Sequence, residues 1–250
     1  AVTVNALNAP TINIINPYVT CPGSPISIGG SPTVSGGNPP YVSYEWDNGA
    51  NPVANPVVSP TNSSLYTLIV TDAAGCKNIG QALVAVITAN AGADKNNCDN
   101  EPVLIGTPAP PGISGLNYDW QPAIGLSANN VPQPFANPAA ATNYILTLTA
   151  TKSGGSTCIS TDTVRIAPIT PPVTANFAGP DRTVCLKTNT TLGTPPEAGF
   201  NYVWSPGSYL ISNTTSTTSF VTGNLLMPVP NPTTINLTAI KEGCSFTDQV

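Results

Sequence analysis

The 250-residue sequence contains no histidine and very few charged residues. Without histidine it has no imidazole general base, no histidine-containing catalytic triad and no histidine-ligated zinc site. The chain has seven lysines and arginines and twelve aspartates and glutamates, which gives a formal charge of -5. This charge argues against the basic surface that nucleic-acid binding requires. No apolar run approaches the ~20 residues of a membrane-spanning helix. We therefore expect neither a nucleic-acid-binding protein nor a membrane-inserted protein. The twelve carboxylates form no motif with hydrolase spacing, and we predict no enzyme, no catalytic residue and no cofactor.

Proline and glycine are abundant, with 28 and 21 residues, and apolar residues make up 40% of the chain. Alternating runs of valine, isoleucine, threonine, tyrosine and leucine stand between clusters of proline, glycine, asparagine and serine, which is typical of short β-strands joined by turns. Prolines are too frequent for any long helix. In the middle of the chain the pattern predicts strands near 101–106, 116–121, 143–151 and 160–167, with a weaker one near 131–136. The sequence therefore predicts an all-β protein.

The six cysteines mark an internal repeat. They stand at positions 21, 76, 98, 158, 185 and 244, so that consecutive pairs are separated by 55, 60 and 59 residues. The first cysteine of each pair is followed eight residues later by a glycine, at 29, 106 and 193, and then by a Tyr-x-Trp motif at 44–46, 118–120 and 202–204. Such self-similarity in a fixed order indicates three copies of one module. We place the modules at 11–88, 89–170 and 171–250. The segment 1–10 before them is expected to hold the final strand of a preceding module and a linker.

Each module is predicted to be a β-sandwich of the immunoglobulin-like or polycystic-kidney-disease-like kind. Residues two apart in a strand point to the same face, so the tyrosine and tryptophan of each Tyr-x-Trp should face inward together. A role in the core is favoured over sugar-stacking platforms, because each tryptophan occurs once per module in the same strand. The predicted core residues are Trp46, Trp120, Trp204, Tyr66 and Tyr144.

The cysteines are expected to form disulfides, which belong to an oxidising compartment; the alternative is a set of buried thiols in a cytosolic protein. Six cysteines allow fifteen pairings. The second cysteine of each module is expected at the tip of the last hairpin, from which the last strand carries the chain about 25 Å toward the next module. Because the first strand of the same module should lie nearer, we predict one disulfide in each module. Each disulfide should stabilise the fold by about 4 kcal/mol, because it closes a loop in the denatured state. The predicted pairs are Cys21–Cys76, Cys98–Cys158 and Cys185–Cys244.

Modules two and three share several short motifs. These are Ala-Gly-x-Asp at 91–94 and 178–181, Gly-Thr-Pro at 106–108 and 193–195, and Tyr-x-Trp-x-Pro at 118–122 and 202–206. Module one departs from these motifs, because Ile14 to Pro17 replaces the Ala-Gly-x-Asp and Trp46 is followed by Asp47-Asn48-Gly49. It keeps the cysteine, glycine and Tyr-x-Trp positions. With these motifs the chain resembles the repeat modules of large Bacteroidetes cell-surface adhesins and gliding-motility-associated proteins exported by the type IX secretion system. The resemblance implies secretion, a cell-surface or filament location and a scaffolding or adhesive role without catalysis.

A few residues are weaker candidates for binding or modification. Asp94, Asp99 and Asp181 stand where modules begin, and calcium could bridge neighbouring modules there, although calcium prefers six to eight oxygen ligands. The favoured alternative is that Asp94 and Asp181 cap turns through their own backbone, and Asp72 is interpreted as a turn residue in the same way. Thr163 stands in an Asp-Thr-Val motif that resembles a short O-glycosylation motif of Bacteroidetes, but in a predicted strand.

The leading hypothesis is a structural one, in which the chain is a stiff, disulfide-stapled stalk in a long extracellular adhesin or filament. The stalk would associate with itself or present adhesive tips. Because so few charges repel neighbouring molecules, we expect the modules to associate with copies of themselves in a fibre or tandem array. The alternative to this expectation is that the low charge reflects habitat alone. The alternative function is a carbohydrate-binding, lectin-like module that recognises surface polysaccharide through loop aromatics, namely Tyr41, Phe135, Tyr209 and Phe220.

The two ends of the sequence are expected to form one strand. Module two continues its last strand beyond Thr163, whereas the equivalent run of module three reaches Val250 and is incomplete. An unpaired sheet edge is a hazard that native proteins avoid. We therefore expect residues 1–4 to complete the last strand of a preceding copy, so that 250 residues would be the period of a longer array. Donation of the strand by a separate chain and an arbitrary boundary of the sequence are the alternatives.

Overall fold

The computed structural model describes residues 6–185, 188–221 and 232–250, with the backbone alone at 219–221. Within these ranges the chain consists of β-strands and turns, with one 3₁₀ turn at Gly207–Tyr209 and no α-helix. Accordingly, the described ranges hold no helix with the length and hydrophobicity of a membrane span. The strands fall into three consecutive groups, and each group forms one module.

Module one is built around a four-stranded sheet. Its strands are β1 (Pro10–Ile12), β2 (Tyr18–Thr20), β3 (Ile26–Ser27), β4 (Val34–Gly36), β5 (Tyr41–Trp46), β6 (Val57–Val58), β7 (Ser64–Asp72) and β8 (Lys77–Val86). The main sheet has the order β2-β8-β7-β5, and β1-β4 and β3-β6 form two small sheets. β7 and β8 make a long antiparallel hairpin. β2 runs parallel to the second half of β8, with Tyr18 opposite Val84.

Module two repeats this plan. Its strands are β9 (Lys95–Cys98), β10 (Val103–Leu104), β11 (Leu116–Gln121), β12 (Phe135–Ala136), β13 (Thr142–Thr151) and β14 (Thr157–Ile169). The main sheet has the order β11-β13-β14-β9, and β10 pairs with β12. β9 runs parallel to the end of β14, with Cys98 opposite Ile169. The strands predicted near 116–121, 143–151 and 160–167 are confirmed, whereas the one near 101–106 is reduced to β10, and β9 was not predicted.

Module three is the shortest of the three sandwiches in its described strands. These are β15 (Asn189–Gly193), β16 (Asn201–Ser205), β17 (Thr217–Val221), β18 (Asn236–Lys241) and β19 (Cys244–Gln249). The main sheet has the order β16-β18-β19, and β15 pairs with β17. Beyond β19, Val250 and Ile235 exchange two backbone hydrogen bonds of 2.9 Å each. The expected role of residues 1–4 in a preceding copy concerns residues outside the described ranges.

Each module has its own hydrophobic core where the inward faces of its strands meet. Trp120 and Tyr144 are completely buried in module two, and Trp204 is buried in module three. In module one Tyr66 is buried, whereas Trp46 is partly exposed and packs against both apolar clusters of the module. In β13 every second residue from Tyr144 to Ala150 is buried. Alternate residues of a strand point to the same face, and this face of β13 forms part of the core of module two. The predicted fold, an all-β tandem of three immunoglobulin-like β-sandwiches, is confirmed, while the module boundaries stay a prediction.

The predicted pairing of cysteines within modules is wrong. The structure contains the bridges Cys21–Cys158 and Cys98–Cys244, each of which joins the first cysteine of one module to the second cysteine of the next. Cys76 and Cys185 take part in neither bridge. The pairs Cys21–Cys76, Cys98–Cys158 and Cys185–Cys244 are therefore absent from the described residues.

Parallel pairing of the first strand explains this difference. Because β2 runs parallel to β8, Cys21 lies beside the end of β8, while Cys76 lies just before its beginning. A ten-residue strand such as β8 is about 33 Å long, far beyond the ~7 Å that a disulfide allows between Cα atoms. The hairpin of the following module reaches the first cysteine instead, with Cα–Cα distances of 5.6 Å for Cys21–Cys158 and 5.5 Å for Cys98–Cys244.

Candidate functional site: the junctions between modules

At the first junction the β13–β14 hairpin of module two meets the end of β2 in module one. The backbone N–H of Val19 donates to Ser153 Oγ at 2.9 Å, and the backbone N–H of Ser153 donates to the Val19 carbonyl at 3.0 Å. Val19 and Cys21 also pack against the core of module two. The Cys21–Cys158 bridge therefore lies within a contact that is apolar and hydrogen-bonded as well as covalent.

The second junction follows the same plan. The β18–β19 hairpin of module three meets the end of β9, where Cys98 is bridged to Cys244 and packs against the core of module three. Asn96 Nδ2 donates to the carbonyl of Glu242, in the hairpin turn, at 2.8 Å. Asn96 stands two residues before its cysteine, as Val19 does at the first junction. The repeat of the sequence is thus also a repeat of the contact between neighbours.

The first cysteine of every module accepts a short-range backbone hydrogen bond. In each case the backbone N–H three residues later donates to the carbonyl of the cysteine. The three N···O distances are 3.1 Å for Ser24 to Cys21, 2.9 Å for Glu101 to Cys98 and 3.2 Å for Thr188 to Cys185. The hydrogen bond at Cys185 therefore matches those at the two bridged cysteines, and the side chain of Cys185 is exposed.

The hairpin that carries Cys76 is fixed by a buried carboxylate. Asp72 Oδ1 accepts hydrogen bonds from the backbone N–H groups of Ala74 and Cys76 at 3.0 and 2.9 Å, and Asp72 Oδ2 accepts one from Asn38 at 2.9 Å. Burial acts to raise the pKa of Asp72, but the hydrogen bonds outweigh it and the pKa lies below its usual range. Asp72 acts as a turn residue and holds the backbone on which Cys76 stands.

The Ala-Gly-x-Asp motif ties the beginning of a module to its last strand. Ala91 is completely buried, its N–H donates to Asp162 Oδ2 at 2.8 Å, and its carbonyl accepts from the N–H of Gly106 at 2.9 Å. The equivalent residues in module three, with the same two distances, are Ala178, Asp248 and Gly193. The structural role of the two aspartates was not predicted from the sequence. The repeated Thr-Asp-x-Val at 161–164 and 247–250 is the signal that could have found them.

In modules two and three the glycine that follows the first cysteine leaves room for the tryptophan of the module. Gly106 has a φ of +77°, and a Cβ atom placed there would overlap the carbonyl oxygen of Pro132 and lie 2.9 Å from Trp120 Cζ2. The indole Nε1 of Trp120 donates to the Val131 carbonyl at 2.9 Å. Gly193 has the same relation to Trp204 Cζ2, at 3.0 Å. These contacts explain why glycine and tryptophan occur together in modules two and three.

The acidic candidates for calcium are dispersed. Asp94 Oδ1 accepts a hydrogen bond from the backbone N–H of Arg165 in β14 at 2.8 Å. Asp94 was expected to cap its own turn, but this hydrogen bond joins it to the last strand of the module. Asp99 lies in the turn after β9, and its N–H donates to the Ile169 carbonyl at 2.9 Å. Asp181 is exposed. In the described part of the chain no three acidic, cysteine or histidine side chains come together as a metal site.

Thr163 lies on the outer face of β14. It is exposed and stands opposite Ile145 of β13. The neighbouring Asp162 has its carboxylate engaged by Ala91, so the aspartate of the motif has a structural role. O-glycosylation of Thr163 stays a prediction.

The described aromatic residues that a lectin-like function would use lie in different modules and share no surface patch. Tyr41 begins β5 and donates its hydroxyl to the Gly36 carbonyl at 2.8 Å. Phe135 is exposed in β12, and Tyr209 packs from the 3₁₀ turn against the core of module three. The side chain of Phe220 lies outside the described residues. The three described aromatics thus stand in three different modules, in strands or a 3₁₀ turn where loops were expected.

A cleft of about 190 Å³ lies at the beginning of module two. Ile87, Pro108, Tyr118 and Leu148 are among the residues that line it. Small-molecule sites usually measure about 300–1,000 Å³ and contain several converging polar groups. The cleft is smaller than this range, so it does not favour a small-molecule site.

No known family model matches the sequence, and no curated protein matches it. Among solved structures, the chain is similar to Sidekick-1 immunoglobulin domains 1–4, with 12% identity, a TM-score of 0.33, and coverage of 96% of this chain and 73% of that one. It is similar to the chicken CNTN1 FN1–FN3 domains with 11% identity, a TM-score of 0.36, and coverage of 98% and 97%. For Bacteroides ovatus SGBP-B of the mixed-linkage glucan utilization locus, in complex with a mixed-linkage heptasaccharide, the identity is 12%, the TM-score 0.22, and the coverage 99% and 70%. At these TM-scores the similarities assign the chain to no family.

Proposed function

We propose that the chain is a structural segment of an extracellular surface adhesin or filament, in which three sandwiches form a stiff stalk. The observation that carries the proposal is the pair of disulfides that cross module boundaries, Cys21–Cys158 and Cys98–Cys244. Modules in one chain move relative to one another by default unless a large interface holds them. A covalent bridge at every junction between the described modules serves to restrict that movement.

The same bridges support an extracellular location and a mechanical role. Disulfides persist in oxidising environments outside the cytosol. The bridges close loops with sequence separations of 137 and 146 residues, and a single loop of this size contributes on the order of 5 kcal/mol through the denatured state. Because each loop includes a whole junction, pulling on the chain ends would load the bridges and spare the hydrogen bonds at the junctions.

The outward faces of the main sheets support self-association. Aliphatic side chains are exposed on them although the strands alternate: Leu65, Ile79 and Leu83 in module one, and Ile145 and Ile159 in module two. Charged residues make up only 8% of the chain, so like-charge repulsion between copies is weak. Lateral contact between copies would cover these aliphatic groups. Within the proposal, copies of the chain are the main partners.

The shared motifs of modules two and three support the finer part of the proposal. Their resemblance to Bacteroidetes repeat modules points to export by the type IX secretion system and to a place in adhesion or gliding motility. In the structure these motifs supply the internal ties of each module, as the Ala91–Asp162 hydrogen bond shows. They serve stability, which is what a repeated stalk module requires.

Small-angle X-ray scattering tests the stiffness of the stalk. The wild-type chain should give a narrow distribution of maximum dimensions, and the double variant Cys21→Ser/Cys158→Ser should give a broader one, because one junction becomes a hinge. Cys76→Ser is the matched control, since Cys76 belongs to neither bridge. A wild-type distribution as broad as that of the double variant would refute the stalk.

A glycan array distinguishes the alternative function, because strong saturable binding of a polysaccharide would favour a lectin-like module.

A further inference from the structure

We infer that the cleft at the beginning of module two binds the side chain of Phe135 from a second copy of the chain. Copies would then associate through a ring and a cleft that both lie on module two. This inference deepens the proposed function, because it rests on self-association and names the contact. The cleft has a volume of about 190 Å³. An apolar cavity of about 150 Å³ is enough to bind benzene, so the cleft can hold one phenyl ring.

The cleft has a buried apolar floor and an exposed, uncharged rim. The floor is formed by Tyr118, Leu146 and Leu148, which are all buried. The rim consists of exposed residues from the segment between β8 and β9 and from the loop after β10, namely Thr88, Asn90, Thr107, Pro108 and Pro110. None of the described residues that line the cleft is charged. An apolar side chain can therefore enter the cleft without burying a charged group, which would be costly.

In module three a phenylalanine of the chain itself stands at the position of the rim residue Asn90. Asn90 precedes Ala91, and Phe177 precedes Ala178, which makes the same two hydrogen bonds as Ala91. Asn90 is exposed, and its Oδ1 accepts a hydrogen bond from the N–H of Gly92 at 3.0 Å. Phe177, by contrast, is 7% exposed and belongs to the core of module three.

The residues of the floor also have equivalents in module three. Tyr118 lies opposite Leu148 in module two, and Tyr202 lies opposite Ala239 in module three. Phe177 belongs to the same apolar cluster as Tyr202 and Ala239. The smaller Ala239 leaves room for the phenyl ring in module three, whereas module two keeps an open cleft. The internal repeat therefore indicates that a phenyl ring is the group that suits this place.

Phe135 is the ring that a second copy can offer. Among the phenylalanines with described side chains, Phe177 and Phe246 are buried. Phe200 is partly buried and packs against the core of module three. Phe135, by contrast, is 51% exposed, and it stands opposite the exposed Leu104 on the outward face of β12. Phe135 does not line the cleft of its own module, so its ring is available to another copy.

The open cleft and the exposed ring occur in the same module. Leu104 and Thr191 each stand two residues before the repeated glycine of their module, and their strand partners are Phe135 and Ser219. Module three therefore has a serine where module two has the exposed ring, and it has Phe177 where module two has the cleft. Because each copy carries one ring and one cleft, every copy can give one contact and accept one, as a self-associating surface requires.

Complementation between two variants tests the inference. Phe135→Ser removes the ring and introduces the residue type of module three, and Asn90→Phe should fill the cleft in the manner of Phe177. Sedimentation velocity measures the wild type, each variant alone and an equimolar mixture of the two. We expect the wild type to associate and each variant alone to associate roughly 10- to 100-fold more weakly, the affinity that burial of a phenylalanine side chain supplies. The mixture should form heterodimers, because one partner keeps the cleft and the other keeps the ring.

Val57→Ser is the matched control. Val57 is exposed in β6 and stands opposite Ser27, two residues before the repeated glycine of module one, so its position is equivalent to that of Phe135. The control should associate as the wild type does. An equal loss of association in Val57→Ser and Phe135→Ser would contradict a contact that is specific to module two.

Photochemical cross-linking gives a second measurement that does not depend on the folding of Asn90→Phe. A photoreactive phenylalanine analogue at position 135 is mixed with isotope-labelled wild-type chain, irradiated and digested. We expect links from position 135 to labelled peptides that contain 86–90, 107–110 or Tyr118. Links to other surfaces alone would overturn the inference.

Sedimentation also separates this inference from the proposed function. If the wild type associates and both Phe135→Ser and Asn90→Phe associate equally well, or if their mixture gives no heterodimer, only the contact of ring and cleft is refuted. A wild type that stays monomeric at every concentration would refute self-association and this contact together. The scattering test of the stiff stalk is independent of both results.

Discussion

Replacement of Trp120 by alanine should lower the free energy of unfolding of module two by about 3–5 kcal/mol, the usual cost of truncating a fully buried large aromatic residue. Trp120 is 0% exposed, and its indole fills the space between β11 and the segment around Gly106. The variant also leaves the Val131 carbonyl without the indole donor that contacts it at 2.9 Å. Both the cavity and the lost hydrogen bond lower the free energy of unfolding.

Urea unfolding combined with hydrogen exchange of the β13 peptide measures this effect in the whole chain. Trp46→Ala is the comparison, because Trp46 is only partly buried and its removal should cost less. Exchange in module one should be unchanged in Trp120→Ala. If the stability of Trp120→Ala equalled that of the wild type while binding of a polysaccharide disappeared, the core role would be wrong and a sugar platform would be favoured.

Replacement of Gly106 by alanine should destabilise module two by roughly 2–5 kcal/mol. A non-glycine residue at a φ of +77° is strained by about 1–2 kcal/mol. The added Cβ would also overlap the Pro132 carbonyl oxygen and press on Trp120 Cζ2 at 2.9 Å, and overpacking of this kind costs about 1–3 kcal/mol.

Gly112→Ala separates the two causes of this loss. Gly112 has a similar φ of +74°, but a Cβ atom there would meet nothing within 4 Å. The control should therefore show the backbone strain alone, measured by urea unfolding of both variants. Equal losses for Gly106→Ala and Gly112→Ala would contradict the packing of Gly106 against the tryptophan.

Much of the fold could be predicted from the sequence because its signals are local. Strand alternation places Trp120 and Tyr144 on inward faces, and both are completely buried. Turn residues such as Asp72 have their partners within a few positions, as the bonds to Ala74 and Cys76 show. Strand alternation and turns depend on residues that are close in sequence, so they can be predicted from a single sequence.

The disulfide connectivity could not be predicted because it depends on the direction of a remote strand pair. β9 is only four residues long and pairs with Ile166–Ile169, about seventy positions later. Nothing local in Lys95–Cys98 shows whether that pairing is parallel or antiparallel. An antiparallel arrangement would have brought each first cysteine toward the hairpin of its own module. The parallel one carries it to the opposite end, where the next module begins.

Disulfide mapping of the full chain under non-reducing conditions tests the central claim most directly. Free thiols are first blocked with an alkylating reagent, the chain is digested, and linked peptides are identified by mass spectrometry. We predict peptides that link Cys21 to Cys158 and Cys98 to Cys244. Links from Cys21 to Cys76, from Cys98 to Cys158 or from Cys185 to Cys244 would contradict the stapled junctions, and with them the stiff stalk.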